Sequence, residues 1–105
     1  MPEYLKTADE FRKALKDAGN KWVVVDFTAS WCPPCKMIAP IFETLSKEFT
    51  EIKFYKVDVD ENNETAEDQG IQAMPTFKFY QNEKAMKTMK GADEKQLKSN
   101  LEECK

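Results

Sequence analysis

The chain has 105 residues, of which 41% are hydrophobic and 33% are charged, and its net charge is −3. This length supports one small domain with a single core, which we assign to residues 1–105. The mild acidity provides no basic patch of the kind that binds nucleic acid. No apolar run approaches the ~20 residues that span a bilayer, and no hydrophobic leader is found at the N-terminus. We therefore expect a cytoplasmic protein that binds neither nucleic acid nor membrane. We also expect a monomer, although composition and charge do not determine the oligomeric state.

The N-terminal third of the chain predicts a helix followed by a buried strand. The pattern first allows a short strand at residues 3–6. Thr7 and Glu10 match a capping box, and apolar residues then recur at helical spacing until Gly19. Residues 22–28 are apolar and rich in β-branched side chains, which is typical of a strand buried on both faces.

The middle of the chain continues this alternation. Residues 34–49 predict a helix with a kink at Pro40. Residues 52–59 predict a strand, and residues 62–69 predict a short helix that ends at Gly70. The inner side of the longer helix is predicted to carry Met37, Ile38, Ile41, Phe42, Leu45 and Phe49.

A hairpin and a last helix complete the pattern. Residues 76–80 and 85–90 predict paired strands, because only a short polar turn separates them. Asp93 is the predicted cap of a helix. Its apolar face is predicted to carry Leu97, Leu101 and Cys104. The whole order implies an α/β fold, with a central sheet and helices on both faces.

The segment Trp31-Cys32-Pro33-Pro34-Cys35 carries the chemistry. Only a thiolate attacks a disulfide, and a helix N-terminus favours a negative charge. Cys32 stands at a predicted helix start with Lys36 one turn along, so we expect a lowered pKa for this thiol. Cys35 lies one turn further in and is suited to resolve a mixed disulfide.

The two prolines predict the local backbone. A residue that precedes proline avoids the helical region, so Cys32 and Pro33 should both be extended. The helix should then begin at Pro34 or Cys35. Pro33 also removes one backbone donor that would face the Cys32 sulfur, and it stiffens the loop.

Two cysteines at this spacing, Cys32 and Cys35, could alternatively supply two of the four ligands of a zinc ion. The chain contains no histidine, and its one other thiol, Cys104, lies on the terminal helix. Too few cysteine and histidine ligands are therefore present for a zinc site. Cys104 itself is interpreted as a packing residue, with a regulatory or dimerising thiol as the alternative.

The chain resembles the thioredoxin family in five segments that follow one another in the family's order. They are residues 25–27, 31–40, 56–60, 74–77 and 90–92. The resemblance implies the thioredoxin fold, a mixed five-stranded sheet flanked by four helices. It also implies a protein-disulfide reductase that binds no cofactor and is re-reduced by thioredoxin reductase with NADPH. Substrates would be disulfide-containing proteins such as peroxiredoxins or ribonucleotide reductase.

Two positions depart from the family pattern. Position 33 usually holds Gly, although nucleoredoxin and tryparedoxin carry a related double-proline motif. Pro33 therefore bears on the redox potential and on compatibility with the reductase, and an engineered change at this position is an alternative. The second departure is the hairpin turn at Asn82 and Glu83, where family members often carry Gly.

Asp26 interrupts the buried strand, where a carboxylate tends to stay protonated. The resemblance implies that Asp26 is a base that accepts the Cys35 proton and that Lys56 tunes the pKa of Asp26. The alternative is a structural, paired aspartate.

The resemblance also implies a substrate groove beside the dithiol. The Met74–Pro75 bond would be cis, and the Met74 backbone would pair with an extended peptide. From sequence alone, Pro75 is a strand-start proline in the trans form. The rim of the groove would comprise Trp31, Val59, Ala73, Met74, Gly91 and Ala92, with an ordinary core role as the alternative for Val59 and Ala73.

Acidic residues follow the third predicted strand. Asp58, Asp60, Glu61 and Glu64 are interpreted as a solvated loop and helix start, with partner orientation as a further role for Asp60 and Glu61.

Two other functions remain as alternatives to a reductase. Oxidases and isomerases usually carry a histidine between the cysteines and a secretory signal, and neither is present here. The other alternative is a non-catalytic binding module whose docking depends on redox state.

Overall fold

The computed structural model describes residues 1–104 and contains a five-stranded mixed sheet with four helices. The predicted domain extends to Lys105, which lies outside the described residues. The elements in chain order are β1 (Glu3–Tyr4), α1 (Ala8–Ala18), β2 (Val23–Thr28), α2 (Pro33–Glu48), β3 (Lys53–Asp58), α3 (Asn63–Asp68), β4 (Thr76–Gln81), β5 (Lys84–Lys90) and α4 (Glu94–Glu102).

The sheet is built around β2. Its strand order is β1-β3-β2-β4-β5, with β1, β3 and β2 parallel and with β4 and β5 each antiparallel to its neighbour. All residues of β2 are buried, as expected of a strand with helices on both faces. The predicted mixed sheet and its four helices are confirmed.

Two apolar clusters fill the space between the sheet and the helices. One lies on the α1 and α3 side of the sheet and includes Phe11, Val25, Phe27, Val57 and Tyr80. The other lies under α2 and α4 and includes Phe42, Phe54, Phe77, Phe79 and Leu97. None of the helices among residues 1–104 is long and apolar enough to cross a membrane.

The start of α1 uses the predicted capping residues in a slightly different way. The Glu10 amide donates to Thr7 Oγ1 at 3.0 Å. The Glu10 carboxylate, however, accepts from the Lys6 amide at 2.9 Å instead of from Thr7. Because β1 ends at Tyr4, the Lys6 amide has no partner in the sheet and takes this role.

The start of α2 corrects the prediction for Pro33. Cys32 is extended, with φ −97° and ψ 108°, but the helix already begins at Pro33. The Lys36 amide donates to the Cys32 carbonyl at 3.2 Å. That bond closes the first helical turn, which outweighs the preference of a pre-proline residue for extended backbone.

The inner side of α2 also differs from the prediction at one residue. Ile38, Phe42 and Leu45 are buried, whereas Met37 is 63% exposed. Ile38, Phe42 and Leu45 lie three or four residues apart and define the centre of the buried face, and Met37 lies about 100° around the helix from Ile38, outside that face.

The turn between β4 and β5 has left-handed backbone at both central residues. Asn82 has φ 52° and Glu83 has φ 67°. Asparagine tolerates this region, but a longer side chain such as glutamate is strained there. Glycine is the residue that two-residue hairpins of this kind prefer at the second position.

We therefore expect Glu83→Gly to stabilise the fold by about 1 kcal/mol, because glycine adopts positive φ without this strain. Urea unfolding of the two proteins measures the difference. Glu83→Ala serves as the control, since it removes the carboxylate and retains the Cβ. Equal stability of the glycine and alanine variants would contradict the prediction.

Candidate functional site

The ends of four strands meet at one edge of the sheet, and the two cysteines lie at its centre. Residue pairing places Thr28 of β2 beside Asp58 of β3. It places Phe27 beside Thr76 of β4, and Thr76 beside Lys90 of β5. The loop that follows β2 leads directly into α2 at this edge, so the dithiol lies between the ends of β3 and β4.

Cys32 and Cys35 form a disulfide with a Cα–Cα distance of 5.3 Å. Cys32 is the N-cap of α2, and its sulfur accepts the Cys35 amide at 3.2 Å. Pro33 and Pro34 occupy the first two helical positions and have no N–H, so Cys35 supplies the first free amide of the helix. A negative charge on Cys32 would therefore lie against one backbone donor and the positive end of the helix dipole.

Both cysteines are buried to nearly the same extent. Cys32 is 3% exposed and Cys35 is 2% exposed. Both residues belong to the apolar cluster on the α1 and α3 side of the sheet. The two cysteines differ in their position at the helix start, since Cys32 is the N-cap and Cys35 lies within the first turn. Their exposed fractions do not distinguish the attacking thiol from the resolving one.

The Met74–Pro75 loop lies directly against Cys32. The Cys32 sulfur is 3.7 Å from the Met74 carbonyl oxygen. The Met74–Pro75 peptide bond is cis. Pro75 is buried, and its carbonyl accepts the Gly91 amide at 2.9 Å. Cys32, Met74, Pro75 and Gly91 thus form one connected unit.

The other predicted rim residues are less uniform. Ala73 is exposed, and its carbonyl accepts the Thr76 hydroxyl at 2.6 Å. Val59 is buried in the cluster that includes the cysteines, which supports the alternative core role. Ala92 packs against the other cluster, under α2 and α4.

Trp31 is held at the opposite side of the dithiol. Its side chain is 61% exposed, and its indole N–H donates to Asp60 Oδ2 at 2.9 Å. Asp58 Oδ1 accepts the amides of Asp60 and Glu61 at 2.9 Å and 3.2 Å, which orders this loop. The sequence pattern predicts a solvated loop at Asp58 and no ordering role for its side chain. The signal for this role is an aspartate at the end of a strand, because an aspartate side chain there can accept the backbone N–H two residues further on in an Asx turn.

Asp26 is fully buried in β2, and neither of its carboxylate oxygens has a hydrogen-bond partner among the described residues. Burial raises its pKa from 3.8 to about 7, and the charge of Lys56 opposes this rise. Lys56 is opposite Asp26 in the pairing of β2 with β3. The absence of a hydrogen-bond partner argues against a paired structural aspartate. A carboxylate that titrates near neutral pH is suited to accept a proton.

Lys36 and Lys56 share a small cavity with Cys35. The cavity has a volume of about 150 Å³, and Asp58 also lines it. Lys36 is exposed at the outer end, whereas Lys56 is half-buried and lies over the Tyr4 ring at 5.1 Å. Cys35 and the lysine opposite Asp26 therefore border the same space.

Cys104 lies far from this site in the fold. It is buried after α4, and its thiol donates to the Asn100 carbonyl at 3.2 Å. Burial also raises the pKa of this thiol, which lowers its reactivity. These contacts favour the packing role. Among residues 1–104, no group of three or more potential ligands is close enough to hold a metal ion.

Comparison with known proteins places these features in a family. The thioredoxin family model matches residues 3–103. A thioredoxin from Geodia cydonium is 56% identical over the full length of both chains. The crystal structure of Fasciola hepatica thioredoxin superposes with a TM-score of 0.96 at 41% identity, with both chains fully covered.

A third match comes from yeast. It is a structure described for the thiol resolving mechanism of a mitochondrial 1-Cys peroxiredoxin via glutathione and thioredoxin systems. It superposes with a TM-score of 0.91 at 31% identity and covers 97% of this chain and 94% of its own.

We expect Asp26→Asn to stabilise the protein at neutral and alkaline pH. Between pH 3.8 and about 7 the native chain holds a proton that the unfolded chain has released, so stability falls as the pH rises through this window. Asparagine cannot ionise, so the variant should gain on the order of 4 kcal/mol above this window relative to below it. Urea unfolding at both ends of the window, with the disulfide intact, measures the gain. A difference that does not change with pH would contradict the assigned titration.

We expect Pro33→Ala and Pro33→Gly to speed alkylation of reduced Cys32 at neutral pH by roughly threefold, because each restores a backbone N–H at the helix start. Iodoacetamide trapping followed by mass spectrometry measures the rate for Cys32 alone. Alanine restores the donor without the flexibility of glycine. A faster rate in the glycine variant alone would show that stiffness, and not the missing donor, sets the reactivity.

Proposed function

Because the chain belongs to the thioredoxin family of protein-disulfide oxidoreductases, we propose that it reduces disulfides in other proteins and is re-reduced by thioredoxin reductase with NADPH. The observation that carries this proposal is the Cys32 sulfur at the N-terminus of α2, 3.7 Å from the Met74 carbonyl and bonded to Cys35. A nucleophile, a resolving thiol and a peptide-binding backbone thus lie together.

The reaction begins from the dithiol. The Cys32 thiolate attacks one sulfur of the substrate disulfide, and the other substrate sulfur leaves as a thiolate and takes up a proton. An extended substrate segment lies along the Met74 backbone as a short added strand, which holds its sulfur in line with Cys32.

Resolution requires a second thiolate. Asp26 accepts the Cys35 proton, and the Cys35 thiolate then attacks the Cys32 sulfur. The bond to the substrate breaks, and the substrate leaves with both sulfurs reduced. The Cys32–Cys35 disulfide seen here is the product of this step, and two electrons from NADPH, delivered by the reductase, restore the dithiol. Lys56 lowers the pKa of Asp26 from the value that burial alone would give.

We place this activity in the cytoplasm, in a monomer without a bound cofactor. The count of three cysteines, with a single pair bonded, suits a reducing compartment better than a secreted scaffold. The yeast match concerns the resolution of a peroxiredoxin thiol, which supports peroxiredoxins as one class of substrate. Ribonucleotide reductase is a second class that the resemblance implies.

The test is turnover of insulin disulfides with NADPH and thioredoxin reductase. Wild type should consume NADPH and precipitate the insulin B chain. Cys35→Ser should lose turnover and accumulate a covalent complex, whereas Cys32→Ser should form none. Asp26→Asn should turn over more slowly at neutral pH, because Cys35 then lacks its base.

The matched control is Cys104→Ser, which changes the one cysteine outside the pair and should retain full turnover. Turnover by Cys35→Ser equal to wild type would instead favour the binding module over the reductase.

A further inference from the structure

One face of the β4–β5 hairpin carries two lysines, Lys78, which is half-buried, and Lys90, which is exposed. On β5, Met89 is buried and Lys87 bonds to side chains of α4, so these positions face α4. Alternation along the strand turns Thr88 and Lys90 to the opposite face. Lys78 pairs with Thr88 and lies on that face too, as a diagonal neighbour of Lys90.

On β4 this face is covered up to the dithiol edge, where Thr76, the pairing partner of Lys90, is 2% exposed, whereas on β5 the face is open. Tyr80, two residues from Lys78, is buried against the Phe11 ring of α1 at 5.5 Å between ring centroids. Lys78, between Tyr80 and Thr76, is half-buried, and on β5 Thr88 and Lys90 are exposed. The ion pairs found within residues 1–104 use other basic side chains, so no described carboxylate neutralises Lys78 or Lys90 within 4.0 Å.

This basic face adjoins the redox centre. Lys90 directly precedes Gly91, whose amide donates to the Pro75 carbonyl at 2.9 Å. The next residue back in that loop is Met74, whose carbonyl is 3.7 Å from the Cys32 sulfur. A substrate held along the Met74 backbone therefore lies beside the lysines.

The other side of the dithiol, toward Trp31, has more acidic than basic side chains, although Lys36 and Lys56 line the cavity there with Asp58. Asp58 ends β3, Asp60 accepts the Trp31 indole N–H, and Glu61 follows it. β2 and β4 separate β3 from β5 in the sheet, so the two charged sides are about 14 Å apart. That is less than twice the screening length at physiological salt, so a bound peptide experiences both.

We propose that this charge asymmetry selects and orients substrates: Lys78 and Lys90 bind the acidic flank of a protein or peptide that presents its disulfide to Cys32. The preferred substrate carries acidic side chains on the side that faces β5 and neutral or basic ones on the side that faces Trp31. This inference rests on the reductase function proposed above and adds to it a class of substrate.

The test uses two cystine peptides of identical composition and zero net charge. In one peptide, glutamates lie on the N-terminal side of the disulfide-bonded segment and lysines on its C-terminal side. In the other peptide the two sides are exchanged. A third peptide has glutamine at all of these positions. The rate constant kcat/KM is measured for each at ionic strengths of about 0.01 M and about 1 M, where the screening lengths are ~30 Å and ~3 Å.

Wild type should reduce one charged peptide at least roughly threefold faster than its reverse at low salt and equally fast at high salt. Lys78→Glu/Lys90→Glu should abolish or invert this ratio, and Lys90→Glu alone should reduce it. The matched control is Lys53→Glu/Lys84→Glu, which changes the charge equally at the opposite end of the sheet and should retain the ratio.

Equal rates for the two charged peptides at low salt, or an unchanged ratio in the Lys78 and Lys90 double variant, would overturn the proposal. The glutamine peptide separates this failure from that of the reductase function. If the glutamine peptide is reduced and the two charged peptides have equal kcat/KM, only the proposed charge selection is wrong. If it is not reduced at all, the reductase function fails as well.

Discussion

The hydrogen bond from the Cys35 amide to the Cys32 sulfur, at 3.2 Å, is the contact on which the site depends. It makes a sulfur atom the cap of α2, in the place where an oxygen usually accepts. The same geometry stabilises a thiolate and brings the second sulfur within bonding distance. The contact is positioned by β2, which is buried on both faces and ends shortly before α2 begins. Reactivity at Cys32 is therefore a property of the strand–helix junction.

The buried carboxylate of Asp26 lowers the stability of the fold. A carboxylate in the central strand with no hydrogen-bond partner among the described residues is unfavourable when charged, and burial holds its pKa near 7. Pairing of β2 with β3 places Lys56 opposite it, which moderates the penalty without removing it. The fold tolerates this group because the rest of β2 packs apolar side chains on both sides. The destabilisation and the capacity to accept a proton have the same physical origin.

The edge of the sheet also determines what surrounds the dithiol. Asp58 orders the loop that brings Asp60 to Trp31, and the Gly91 amide anchors the loop that holds Met74. The two anchors lie on opposite sides of Cys32 and carry neighbours of opposite charge. A substrate chain that approaches Cys32 consequently meets different charges on its two sides. The reacting sulfurs themselves do not select a particular substrate sequence.

Local patterns in the sequence determined the helices and strands, and the two cysteines at the start of a helical segment determined the chemistry. Local patterns failed where a neighbour in space decides burial or backbone: Met37 is exposed, and Pro33 is helical because the first turn closes over it. The partners of the site were also decided by tertiary structure. Asp60 lies 29 residues from Trp31, and Met74 lies 42 residues from Cys32. Only the order and pairing of strands brings such distant positions to one edge, since no local periodicity encodes which strand ends become neighbours.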